Sequence, residues 1–159
     1  EPRQLAADLD RTIGLTVRAD PPGPFLPSDL AWDPQGIGCY VTYPEHGTSR
    51  VAHIALTHDV TPLAVGPRAV HGFGVAASSG RVAIIFSPPD DPGQVSVLDP
   101  EQGGESERVV TDLNATWRAE VAMGALERFD LAAPDGHPLE FDAAGRVVDV
   151  WGALAHAGH

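Results

Sequence analysis

The chain has 159 residues, a net charge of −12, no lysine and a single cysteine, Cys39. This length is enough for one domain with a real hydrophobic core, and the lone cysteine excludes an intrachain disulfide. The shortage of basic side chains argues against a nucleic-acid partner and no apolar stretch approaches the length of a membrane span, so we expect a cytoplasmic protein without either partner.

Residues 1–28 form a mixed segment that ends in a loop. A short strand is predicted at residues 13–17. The run Pro21-Pro22-Gly23-Pro24 follows it, and proline has no N–H to donate to a β-ladder. We therefore expect the end of a preceding β-unit followed by a proline-rich loop.

Residues 29–66 and 67–113 each predict four antiparallel strands separated by glycine- and proline-containing turns. The predicted strands of the first unit are residues 29–32, 38–43, 50–56 and 62–65. Those of the second unit are residues 72–76, 82–86, 94–98 and 108–110. Residues 82–86 are apolar at every position, which predicts a strand covered by sheets on both faces.

The two units align at an offset of 44 residues. Residues 40–42 fall on residues 84–86, and Val51 falls on Val95. A β-repeat of about 40–45 residues is typical of the four-stranded blades of β-propellers. We predict an all-β fold, a partial β-propeller with two complete blades, and we assign residues 1–28 to a partial preceding blade.

Residues 114–159 depart from the repeat. Asn114 is predicted to cap a short helix over residues 115–123, because its side chain can accept a backbone hydrogen bond. Asp135-Gly136 is a hairpin turn signal. Strands are predicted at residues 128–132 and 146–151. We interpret this segment as a helix, a bridging hairpin and an atypical tail that frays over residues 152–159.

A serine nucleophile is not predicted. The hydrolase elbow has the pattern G-x-S-x-G on a strand-to-helix turn. The nearest match surrounds Ser49, where Val51 replaces the second glycine and no helix follows. We predict no catalytic residue in this chain, and we interpret Ser49 as a turn residue that bonds its own backbone.

Histidines raise the hypothesis of a metal site. Ligands on one face of a strand must be an even number of residues apart, and His46 and His58 lie in a predicted loop and beyond a strand end. We predict no metal and no cofactor. The histidines interpreted as surface or interblade residues are His46, His53, His58 and His71. Those assigned to an exposed tail are His156 and His159.

The remaining polar and aromatic candidates are interpreted structurally. Asp90 and Asp91 lack further oxygen ligands at calcium-loop spacing, so we expect a solvated turn. An exposed acidic loop is predicted to contain Glu101, Glu105 and Glu107. Cys39 lies among apolar neighbours and is expected to be buried rather than reactive. Interblade packing, with ligand stacking as the alternative, is expected for Trp32 and Phe73.

Four motifs, in order along residues 10–140, resemble the propeller region of the prolyl oligopeptidase family of serine peptidases, in particular its acylaminoacyl-peptidase and dipeptidyl-peptidase-like bacterial members. Residues 30–36 (LAWDPQG) are similar to the family's W-S-P-D-G turn, with Gln35 in place of the usual Asp. The other motifs are residues 10–14 (DRTIG), residues 111–114 (TDLN), and residues 127–129 (ERF) followed by 134–136 (PDG).

The resemblance implies a function. In that family the propeller caps an α/β-hydrolase domain and restricts which peptides reach its serine. The chain is then expected to be a non-catalytic segment that gates peptide access to a hydrolase domain of the same or a neighbouring polypeptide. Residues 137–159 depart from the family's Gly-Trp strand that leads into the hydrolase. We therefore expect that domain to be absent from this chain.

Two alternatives stay open on the residues alone: a stand-alone binding or scaffold propeller without enzymatic activity, and an inert gene fragment. Two or three blades cannot close a ring, so an apolar sheet flank is expected to stay open. Self-association through this open blade edge is a further expectation.

Overall fold

The structure, a computed structural model, describes residues 4–9, 11–14 and 30–121, together with the strands Phe129–Ala132, Pro138–Phe141 and Val147–Asp149. The chain forms two compact units, residues 1–121 and residues 122–159. Apart from one short helix and two 3₁₀ turns, the described elements are strands. The prediction of an all-β fold is confirmed as a class of secondary structure. Most of residues 13–17 and all of residues 152–159 lie outside the described residues.

The first sheet of the first unit is an antiparallel meander of four strands. They are β1 (Leu30–Trp32), β2 (Gly38–Glu45), β3 (Thr48–Ala55) and β4 (Val60–Ala64). His46 and Gly47 alone connect β2 to β3, with φ angles of 49° and 70°. Positive φ at both central residues suits a tight two-residue hairpin turn. The turn predicted at residues 44–47 is therefore shorter, because Pro44 and Glu45 belong to β2.

The second sheet repeats the meander with a longer hairpin loop. Its strands are β5 (Ala69–Val75), β6 (Val82–Ser87), β7 (Gln94–Leu98) and β8 (Arg108–Val109). The first hairpins of the two sheets match at an offset of 43 residues, because Trp32 pairs with Cys39 and Val75 pairs with Val82. Residues 40–42 therefore correspond to residues 83–85, so the predicted match to 84–86 is wrong by one residue. The predicted correspondence of Val51 with Val95 agrees with the register, since Val51 lies opposite Thr42 and Val95 lies opposite Ile85.

The two sheets pack face to face within the first unit. Buried and exposed side chains alternate along β6, which directs Val82, Ile84 and Phe86 into the space between the sheets. The buried core side chains from the first sheet are Tyr40, Val51, Leu63 and Ala64. Those from the second sheet are Val70, Phe73, Val82, Ile84, Phe86 and Leu98.

The faces that the two sheets turn away from their shared core differ in burial. On the first sheet, Cys39, Val41 and Ile54 form a second buried cluster, against which Leu5 and Ala6 pack. On the second sheet, Ala83 and Ile85 are exposed. The prediction that residues 82–86 are covered on both faces is wrong, because the apolar run covers one buried and one exposed face. β2 is the strand buried on both faces, from Gly38 to Tyr43.

A short helix, α1 (Ala115–Glu120), follows the second sheet. It is shorter than the predicted 115–123. Asn114 precedes it as predicted, but its side chain makes no capping hydrogen bond. None of the described helices is long and apolar enough to cross a membrane.

Residues 122–159 form the second compact unit. Its three described strands make an antiparallel sheet in the order β11 (Val147–Asp149), β10 (Pro138–Phe141) and β9 (Phe129–Ala132). The predicted strands at 128–132 and 146–151 therefore lie in one sheet, and β10 is an additional strand between them.

Candidate functional site

A cleft of about 520 Å³ opens between the two sheets of the first unit. One wall is the turn between β1 and β2, and the other combines the turn between β5 and β6 with the 3₁₀ turn Pro100–Gln102. Side chains of β2, β3 and β4 line its inner part. The hydrogen-bonding side chains along it include Asp33, Gln35, Tyr40, His53, Ser79 and Glu101.

Asp33 organises the first wall. Its Oδ1 accepts a hydrogen bond of 2.7 Å from the backbone N–H of Gln35, and its backbone carbonyl accepts one from Gly36 at 2.8 Å. This Asx-type turn needs positive φ at Gly36, which has φ 72° and no Cβ to oppose it. The local sequence therefore holds the Asp33 carboxylate in the turn between β1 and β2, and the residue is only 8% exposed.

Tyr40 binds this carboxylate. The Tyr40 hydroxyl donates a hydrogen bond of 3.3 Å to Asp33 Oδ2. Burial, the charge and hydrogen bond of Asp33, and the charge of Glu101 together raise the pKa of Tyr40 to about 12. The phenol is therefore protonated at neutral pH. With its proton directed to Asp33, its oxygen presents lone pairs as an acceptor.

His53 lies beside the same carboxylate. It is directly opposite Tyr40 in the sheet, with ring centroids 5.0 Å apart. His53 Nε2 is 3.1 Å from Asp33 Oδ2, which is ion-pair distance for a protonated ring. The direction does not satisfy a hydrogen bond, and this buried nitrogen has no hydrogen-bond partner.

Gly38 makes room for the His53 ring. A Cβ at this position would lie 2.6 Å from His53 Nε2 and 2.4 Å from the carbonyl oxygen of Ile54. Both distances are below van der Waals contact, and one of the atoms belongs to the backbone. The absence of a side chain at Gly38 therefore allows the His53 ring to lie against the backbone of β2.

Glu101 brings a second carboxylate to the cleft. The 3₁₀ turn that carries it is capped by Asp99, whose Oδ1 accepts a hydrogen bond of 3.2 Å from the Glu101 N–H. Gln35 Nε2 donates to Glu101 Oε1 at 3.2 Å. This hydrogen bond joins the first turn of one sheet to the end of the other, so the cleft has a carboxylate on each wall.

A separate buried polar network surrounds Asp91, outside the cleft. Its carboxylate accepts hydrogen bonds from the backbone N–H of Gly93 and from the side chains of Gln94 and Asn114, and Arg118 Nε lies 3.2 Å away. Asp91 is only 5% exposed, so the predicted solvated turn is wrong at this residue. The network attaches α1 to the loop between β6 and β7.

The pH dependence of stability follows from these contacts. Burial raises the pKa of Asp91, but the hydrogen bonds and the Arg118 charge outweigh it, so that the pKa lies below its ordinary value of 3.8. The carboxylate therefore stabilises the fold above pH 3.8, and this contribution is lost as pH falls through the folded-state pKa.

We expect Asp91→Asn to reduce the free energy of unfolding at pH 7 and to flatten its decrease between pH 5 and pH 2. The physical reason is that the neutral asparagine amide has one acceptor oxygen, so it cannot accept all of the hydrogen bonds that the ionised carboxylate accepts. Urea unfolding at several pH values measures both effects. Asp90→Asn is the matched control, since Asp90 is exposed. Parallel pH profiles for wild type and Asp91→Asn would contradict the assignment.

Glu107 also differs from the sequence prediction. It is expected in an exposed loop together with Glu101 and Glu105, yet its side chain is only 13% exposed. Glu107 Oε1 accepts from Arg68 and from Ser96. The Arg68 guanidinium in turn stacks 4.4 Å above the Phe86 ring. This ion pair stabilises the connection between the two sheets rather than forming a site.

The other predicted residues do not gather at the cleft. Ser49 is buried in β3, not in a turn, and its backbone N–H donates to the Arg68 carbonyl. Trp32 is 65% exposed, so its predicted packing between blades is wrong. Phe73 is buried and lies opposite Ile84, which corresponds to the pair Leu30 and Val41 in the first sheet.

Among the histidines that the structure describes, His53 alone lines the cleft. His46 lies in the hairpin turn 3.0 Å from Glu45, and His58 is exposed. His71 Nε2 is 2.7 Å from Ser87 Oγ, and burial lowers the pKa of His71. Within the described ranges, no three His, Cys, Asp or Glu side chains are placed to hold a metal ion. His156 and His159 lie outside the described residues.

Cys39 is buried, as its neighbours predict, and burial raises the pKa of its thiol. A raised pKa lowers the thiolate fraction and hence the reactivity of the sulfur.

No protein-family model matches the chain, and no curated protein matches it either.

Proposed function

We propose that this chain is a non-catalytic β-propeller segment that gates peptide access to the hydrolase domain of a prolyl-oligopeptidase-like serine peptidase. The observation that carries the proposal is the pair of successive four-stranded meanders packed face to face. Consecutive blades of a propeller have this order and bury each other's faces in this way. The link to peptidases is supported by the motif resemblance.

The hydrolase domain would belong to the same or a neighbouring polypeptide. Its contact surface is expected on a sheet face that a further blade or domain would cover. The exposed face of the second sheet, with Ala83 and Ile85, is such a face. Self-association through the same open flank stays a prediction.

A stand-alone binding module is the second candidate, and the cleft favours it. Its walls come from turns of two different sheets, which is a common way to build a ligand site on a rigid scaffold. The two candidates share a non-catalytic role, and they differ in whether a hydrolase domain accompanies the blades.

We expect the chain alone to hydrolyse neither aminoacyl nor N-acylaminoacyl chromogenic anilides. Ser49, the serine nearest to the elbow pattern, is fully buried in β3, so substrate cannot reach its hydroxyl. Release of the chromophore is followed against a buffer blank, with Ser49→Ala as the control variant. Turnover by the wild-type chain that disappears in Ser49→Ala would overturn the proposed role.

A further inference from the structure

We propose that the cleft between the two sheets binds an alkyl chain that ends in a cationic nitrogen group, such as the side chain of arginine or lysine. The inference rests on the proposed binding role of these blades, but not on their link to a peptidase. Two properties of the cleft carry it: the balance of acceptors over donors on its walls, and an apolar surface between them.

The walls are rich in hydrogen-bond acceptors. Asp33 and Glu101 place a carboxylate on each wall, and the Tyr40 oxygen presents lone pairs because its proton is donated to Asp33. Neither arginine nor lysine contributes to the lining, and its one imidazole, that of His53, lies 3.1 Å from Asp33 Oδ2. A ligand that brings its own donors and a positive charge is therefore favoured over an anion.

The carboxylates are held in place before a ligand arrives. Asp33 is fixed by the N–H of Gln35 and by Tyr40, and Glu101 is fixed by the Gln35 side chain. A charge held by neighbouring groups in a partly desolvated site interacts more strongly with a counter-ion than a free surface charge does. Preorganisation also reduces the entropy lost on binding.

Apolar groups complete the cleft and select the shape of the ligand. Its lining also includes Leu63, Ala77 and Pro100. A methylene stem can pack on these groups while its charged head reaches the carboxylates, as long basic side chains do elsewhere in proteins. A bare metal ion would leave this apolar surface unused.

The test compares three probes by titration of the ¹⁵N-labelled chain, followed by amide chemical shifts. Nα-acetyl-argininamide represents a peptide side chain, n-butylamine represents a free amine of the same single charge, and Nα-acetyl-citrullinamide is the neutral isostere. We expect shifts at Gln35, Gly36 and Glu101 with the cationic probes, and at least about fivefold weaker binding of the citrulline probe. Binding should weaken as salt rises.

Two variants locate the site. Glu101→Gln alters an exposed side chain, and Asp33→Asn keeps an oxygen that can accept from the Gln35 N–H. Each is expected to weaken binding of a cationic probe at least about fivefold, because one of the two carboxylates is lost. Glu105→Gln is the control, since Glu105 is exposed and does not line the cleft.

Binding of either cationic probe, with loss in the two variants, supports the proposal, and the stronger of the two identifies peptide or free amine as the source. Equal binding of the citrulline probe, or unchanged affinity in both variants, would overturn it. That result would not contradict the proposed role as propeller blades. Turnover of the anilides by the chain would contradict the non-catalytic role, but it would not contradict ligand binding in the cleft.

Discussion

Ile84→Asp is expected to abolish stable folding of the first unit. Ile84 is fully buried in the core between the two sheets, and its sheet neighbours are Phe73 and Ser96. An aspartate there would place an unpaired charge in an apolar layer. The cost exceeds about 4 kcal/mol, which is comparable with the whole stability of a typical domain.

Ile85→Asp is the matched control for this substitution. Ile85 is adjacent on the same strand but points to the opposite face, where it is 39% exposed. We expect a change within about 1 kcal/mol, because the new carboxylate stays in contact with water. Ile84→Val adds a folded variant, with an expected loss of about 0.5–1.5 kcal/mol.

Circular dichroism and thermal unfolding of the three variants measure these effects. Equal thermal midpoints for Ile84→Asp and Ile85→Asp would show that the two faces of β6 are equally exposed. That outcome would contradict the packing of the two sheets on which the proposed blade arrangement depends.

Arg68→Ala is expected to destabilise the chain by about 1–3 kcal/mol, because it leaves the partly buried Glu107 carboxylate without its charged hydrogen-bond partner. Ser96 remains as a neighbour of Glu107, and the contact of the guanidinium with the Phe86 ring is lost as well. Urea unfolding measures the loss. Arg108→Ala is the control, because Arg108 is exposed on β8.

The double variant Arg68→Met with Glu107→Leu separates charge from packing. Replacing both members of a buried ion pair by apolar groups of similar size is often neutral or stabilising. We expect it to be more stable than Arg68→Ala. A double variant no more stable than Arg68→Ala would show that specific polar contacts, rather than the uncompensated charge, account for the loss.

Much of the strand pattern was predictable because its causes are local. Residues 94–98 form β7 with the predicted bounds, since alternating side chains and flanking glycine and proline act within a few residues. The pairing of Tyr40 with His53 could also be predicted from the sequence. A two-residue turn at His46 and Gly47 fixes the register of β2 and β3, and so places these two side chains opposite each other.

The candidate site could not be predicted in the same way. Gln35 and Glu101, which join its walls, are 66 residues apart, and Arg68 and Glu107 are 39 apart. Acidic residues in a loop are expected to be solvated, because the sequence contains no sign of the distant groups that bury some of them. Asp91 and Glu107 are therefore the residues at which the exposed-loop interpretation fails.

The sequence by itself determined the all-β class, the two four-stranded units and the absence of a hydrolase elbow within them, because periodicity and turn chemistry are properties of neighbouring residues. Only the tertiary structure decided which faces are covered. An apolar strand such as β6 has the same sequence whether one or both of its faces are buried. The same holds for the cleft, since the Asp33 and Glu101 carboxylates converge only when the two sheets pack together.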